Sequence, residues 1–192
     1  MSDHDGLRER GQALEEEYFR RKDRELIEKM RAKAEAEAAQ QSLGASAGTS
    51  DPAVVSELLA LGFTPDTIGL LPLVPVLQVA WAEGGITPVE RDLVEKLANA
   101  RGIAPGSPAD AQLMDWLANR PSDEVFSGAT RLIGAMLAEG ASMVSDLNAD
   151  TLVSYCEKVA AASGGFLGRG RVSADERVLL SSIAADLKGR RA

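Results

Sequence analysis

Apolar and polar residues recur along this chain with the spacing of helices, and no stretch alternates in the manner of a strand. Residues 7 to 41 are rich in Glu, Arg, Lys and Ala, contain no proline and are interrupted only by Gly11, so a long charged N-terminal helix is expected there. Glu16/Arg20, Glu17/Arg21 and Glu25/Lys29 stand in the favourable i, i+4 order. At 100° per residue Leu7, Leu14 and Tyr18 share one face, while Phe19, Leu26 and Met30 fall roughly 120° away. A stripe that drifts in this way is not a heptad seam. These apolar residues either fold back on a body or meet a partner. On the second reading Leu14, Tyr18, Phe19, Leu26 and Met30 are candidate docking residues.

The next nine residues, SLGASAGTS (42–50), are small and read as a flexible linker. A body at 51–192 follows, with regular helix punctuation. Asp51-Pro52 opens a helix closed at Gly62, Thr87-Pro88 opens one closed at Gly102, and Ser107-Pro108 and Ser122 open two more. Further helices are expected over Asp123 to Glu139, Ala149 to Ser163 and Ala174 to Lys188. Three sets supply apolar faces at helical spacing: Leu93, Leu97 and Ala100; Leu132, Met136 and Leu137; Leu152, Tyr155 and Val159. The most apolar run, Ile68 to Ala82, carries Pro72, Pro75 and Gln78 and falls short of the roughly 20 residues needed to span a bilayer, so it reads as a buried core helix. No membrane insertion is expected. The fold class is all-α, a bundle of about six or seven helices.

Composition narrows the function classes. Hydrophobic residues make up 45% of the 192-residue chain and aromatic residues only 4%, which suits close-packed helices and disfavours sandwiches, barrels and base-stacking platforms. The formal net charge of −8 opposes a broad phosphate-binding surface, so nucleic acid is not an expected partner. A single cysteine points to a reducing compartment, and MSDHDGLRER lacks the features of a secretory signal; the expected location is cytoplasmic.

Two segments of the body match each other: AEGGITPVERDLVEKL from Ala82, and ASGG(FLGRGR)VSADERVLLSSI from Ala162. In each, a helix end meets two glycines, then Ile86 or Val172, then Thr87 or Ser173, and three residues later Glu90 or Glu176. The last spacing is that of a capping box, which by itself accounts for the hydroxyl and the Glu. The body is therefore expected to hold two related helix-loop-helix halves. Glu83-Gly84-Gly85-Ile86-Thr87-Pro88-Val89-Glu90 also resembles the Asp-Gly-x-Ile/Val-x-x-x-Glu pattern of TerB-like (tellurite-resistance) helical domains, with Glu in place of the usual Asp. The likeness implies an all-helical fold of two similar halves. It also implies divalent-cation binding near the loop, which carries Glu83 and Glu90 over as candidate metal ligands. The second copy departs from the pattern, with Ser163 where the acid stands and six extra residues, Phe166 to Arg171. The N-terminal helix in turn resembles inhibitory helices of small F-type ATP synthase regulators, the bacterial zeta subunit among them. Arg8, Glu9, Ala13, Phe19, Glu25 and Leu26 occupy the matching positions.

Little else in the chain suggests chemistry. The one histidine, His4, lies near the N-terminus, so His-based nucleophile pairs and His or paired-Cys zinc sites are excluded. Cys156 lies on an apolar helix face and reads as packing; Trp81 and Trp116 read as core. In the Gly-rich stretch 164–171, Phe166, Arg169 and Arg171 can contact a partner or an anion, or the stretch is simply a surface loop. The expected function is thus a non-enzymatic interaction or scaffold protein, or an accessory subunit of a larger assembly, with no cofactor. A divalent-cation-responsive stress protein and a regulator of an ATPase are the two alternatives.

Overall fold

A computed structural model describes residues 3–141, 143, 148–162, 172 and 174–188, with only the backbone described for residues 3–15 and 175. The described residues form an all-α protein with no strand. Two compact units divide between Gln41 and Ser42.

The first unit consists of most of α1 (Asp3–Ala47). At 1.5 Å per residue this helix is about 65 Å long. Every described side chain from Glu16 to Gln41 is exposed, so the helix rests on propensity and local pairs. Arg20 bonds Glu16 at 3.3 Å, and Lys33 reaches Glu37 at 3.7 Å. Glu25 turns back to Lys22 at 3.2 Å rather than forward to Lys29, a choice that costs little because exposed pairs are nearly equivalent in energy.

The expected linker is corrected by the last turns of the same helix. Residues 42–47 remain helical, and Leu43 and Ala47 are fully buried. A Cβ on Gly44 would stand 3.0 Å from the Thr49 carbonyl oxygen. Small residues here allow close packing, a use that composition cannot tell apart from flexibility.

The second unit is built around α3 (Val74–Ala80), whose residues are all buried except the half-buried Gln78. A helix that is apolar on every side belongs in the middle, and α3 packs against α4 (Pro88–Ala100), α6 (Asp123–Glu139), α7 (Ala149–Ala162) and α8 (Ala174–Leu187). The single core helix expected over Ile68–Ala82 is in fact a 3-10 segment, Ile68–Leu73, followed by α3. Pro72 lacks the N–H for an α-helical bond and disfavours the α conformation in the residue before it, while Pro75 fits the first turn of α3.

The remaining helices, α2 (Pro52–Ala60) and α5 (Pro108–Ala118), start at the expected caps. Asp51 Oδ1 accepts from the Ala53 amide at 2.8 Å, Ser107 Oγ from that of Asp110 at 3.1 Å, and Ser122 Oγ from that of Val125 at 3.3 Å. The last carbonyls of α5 receive side-chain donors. Trp81 Nε1 donates to the Trp116 carbonyl and an Arg91 guanidinium nitrogen to that of Leu117, each at 2.9 Å. Both tryptophans are half-buried at the core's edge, with Trp116 edge-on to buried Phe63. In α4 the inward row is Glu90, Val94 and Ala98, with Leu93 and Leu97 half-buried and Ala100 exposed, so the expected face is shifted by one position. α6 and α8 approach so closely that a Cβ on Gly134 would lie 2.7 Å from the Asp186 carbonyl oxygen.

Candidate docking helix and paired loop units

Two places collect the residues singled out by sequence, and their chemistry differs. On α1, Tyr18, Phe19, Leu26 and Met30 are 48, 61, 57 and 64% exposed. Ile27, absent from the expected set, is also 48% exposed. It was visible on the helical wheel, but it lies about 80° from the centre of the Phe19/Leu26/Met30 stripe. Isolated exposed apolar residues are ordinary, whereas Phe19, Leu26 and Met30 align within an arc of about 40° as a narrow exposed stripe, with Tyr18 and Ile27 standing off on either side of it. Tyr18 packs edge-on to Phe19 with ring centres 5.9 Å apart, and Arg21 and Lys22 stand 5.9 and 5.8 Å from its ring. These contacts hold an aromatic pair on the exposed surface. Leu14 lies on α1, with its side chain outside the described residues.

The first paired unit is α3, the loop after it, and α4. Gly84 turns the chain with φ +85°, a conformation that favours glycine, and its amide donates to the Trp81 carbonyl at 3.1 Å. Thr87 then caps α4. Its hydroxyl accepts from the Glu90 amide at 3.3 Å, and Glu90 Oε2 accepts from both the Thr87 amide and the Thr87 hydroxyl at 2.7 Å. Glu90 is only 2% exposed, so this carboxylate is turned inward onto its own cap. Glu83 is exposed. Among the described residues no three His, Cys, Asp or Glu side chains are grouped to hold a metal ion.

The second unit, α7 and α8, repeats this burial pattern. Glu176 is 1% exposed where Glu90 is 2%, and Val172, like Ile86, is partly buried against the core. α7 packs against α3, α4 and α8, so the related halves share one core. Asn148 Oδ1 caps α7 from the Thr151 amide at 2.7 Å, and Lys188 reaches Asp150 at 2.7 Å. Phe166, Arg169 and Arg171, the candidate contact residues of the second loop, lie outside the described residues.

Cys156 is fully buried in α7, and burial pushes its thiol from 9.0 up to about 12. A thiol held neutral in this way is neither a nucleophile nor a metal ligand at neutral pH, so it serves as packing. No helix is long and apolar enough to cross a membrane among the described residues. Comparison with protein-family models, curated proteins and solved structures finds no match to this chain.

Proposed function

We propose that the protein is a non-enzymatic interaction or scaffold protein whose helical body carries a long helix that docks onto a partner or larger assembly. The observation that carries this reading is the apolar stripe of Phe19, Leu26 and Met30, each more than half exposed on a helix with no described buried side chain before Leu43. Fully burying one such side chain is worth roughly 1.5–3 kcal/mol, so the three together can anchor a contact that further polar and apolar groups complete. The inward-facing Glu90 and the neutral, buried Cys156 support a body whose reactive-looking residues serve packing and capping. The paired helix-loop-helix units support the likeness of the body to TerB-like domains.

The test is the triple variant Phe19→Ala/Leu26→Ala/Met30→Ala in the full chain. It is expected to keep its helix content and melting temperature and to lose co-purifying partners seen with the unaltered protein. Equal partner recovery from both proteins rejects the docking role. The likeness of the helix to inhibitory helices of F-type ATP synthase regulators names one assembly to try first, by measuring ATPase rate with and without the full chain.

A further inference from the structure

Charge is distributed around α1 in rows. At 100° per residue Phe19, Leu26 and Met30 occupy an arc of about 40°, and Lys22, Lys29 and Lys33 fill a second arc of about 40° bordering it. Glu17, Glu28 and Glu35 lie on the opposite side of the helix, and Arg20, Arg24 and Arg31 form a further row between Ile27 and those acids. Residues 19–33 hold seven Lys and Arg against three Asp and Glu, while residues 16–37 hold seven of each, so the cations are concentrated beside the stripe on the Lys row and Asp23 and Glu16 border its other side. The exposed pairs Lys22–Glu25 and Lys33–Glu37 hold their ammonium groups only weakly, leaving them open to exchange for a partner's carboxylates.

We propose that the partner of α1 is a protein groove with an apolar floor for Phe19, Leu26 and Met30 and an acidic rim that meets Lys22, Lys29 and Lys33. The proposal rests on the docking role given above and adds the chemistry of the partner. Two other occupants fit the rows less well. In a parallel pair of copies, Phe19 and Leu26, one heptad apart, would bring either Lys22 and Lys29 or Glu16 and Asp23 into the seam, and an antiparallel pair would set the Lys row against itself. An anionic lipid surface asks for a broad apolar face with a cationic remainder, whereas here the apolar stripe is narrow and the opposite side is acidic.

The experiment uses the full chain with a photo-reactive benzoylphenylalanine in place of Ile27, cross-linked in lysate, the attached peptide sequenced, and the purified partner then titrated. The expected result is a cross-linked segment bearing Asp or Glu beside apolar residues. Affinity for that partner should fall about tenfold or more in Lys22→Glu/Lys29→Glu/Lys33→Glu, and by a similar factor as salt is raised from about 50 to about 500 mM. If the lysine variant binds within about twofold of the parent while Phe19→Ala/Leu26→Ala/Met30→Ala does not bind, the acidic rim is overturned and docking stands. If both variants bind like the parent, or nothing cross-links, the docking role falls and this proposal with it. Co-sedimentation of the parent chain with phosphatidylserine vesicles, or self-association abolished by the apolar triple variant, overturns the protein groove in favour of a membrane or a second copy. Circular dichroism of each variant confirms that α1 is still helical.

Discussion

Helices α1 and α3 solve opposite problems. α1 is a string of good helix formers whose side chains are exposed on all sides from Glu16 to Gln41, so its stability comes from backbone propensity and small i, i+3 and i+4 terms. α3 is only seven residues long and contains Pro75 and three valines, a poor helix by propensity, yet it is buried on nearly every side. In isolation α3 would not form, because the nucleation cost exceeds what seven residues return. Its helix is stabilised by α4, α6, α7 and α8, which close around it. Propensity thus governs the exposed helix and burial governs the central one. The same contrast separates their surfaces, since a described side chain on α1 from Glu16 to Gln41 meets solvent and one on α3 does not, apart from half-buried Gln78.

The largest test of this contrast is a pair of leucine truncations. Leu77→Ala, at a fully buried position of α3, should cost about 2–5 kcal/mol in chemical denaturation, whereas Leu26→Ala on α1 should stay within about 0.5 kcal/mol. Comparable losses at both sites would show that α1 also contributes to a core. Titration of Cys156 in α7, the helix packed against α3, gives a second test. Its folded value is raised, so its contribution is fully present below about 9 and is lost as pH rises towards about 12, up to roughly 4 kcal/mol over three units. Cys156→Ala should flatten that alkaline decline, and alkylation of the native thiol at neutral pH should proceed only through unfolding.

Smaller effects probe the joints. Gly134→Ala forces a methyl group against the Asp186 carbonyl and should cost about 1–3 kcal/mol, read as a lower denaturant midpoint. Thr87→Ala removes the hydroxyl of the capping box and should cost about 1 kcal/mol, with faster amide exchange in the first turn of α4. The smallest change is expected from Glu16→Ala, which removes an exposed pair to Arg20 and should alter stability by a few tenths of a kcal/mol at most.

Several features of the molecule could be read directly from residue order. Asp51, Thr87, Ser107 and Ser122 cap helices because a short polar side chain followed by proline or acid satisfies orphan amides through bonds three residues or fewer away. That residues 7–41 are helical follows from their run of good helix formers, whereas residue order left open whether Tyr18, Phe19, Leu26 and Met30 fold back on the body or stay exposed, as they do. The matched Glu90 and Glu176 could also be aligned by eye, since the repeat preserves their spacing.

Other features depend on distant neighbours. Residues 42–47 have the composition of a linker and pack as a helix end, with Leu43 and Ala47 wholly enclosed. Whether a Gly or Ala bends freely or admits a close neighbour depends on which surface arrives, and that surface is far along the chain. Glu83 and Glu90 stand seven positions apart and have the same side-chain chemistry, yet one faces solvent and the other turns onto Thr87. Helical periodicity placed α4 on the core but left its inward row one position in doubt, because rotation about a helix axis is set by the helices it meets. Local hydrogen bonding is encoded within a few residues and so determines where helices begin; burial sums contacts over the whole chain, so which side of a helix is hidden is known only once the chain is folded.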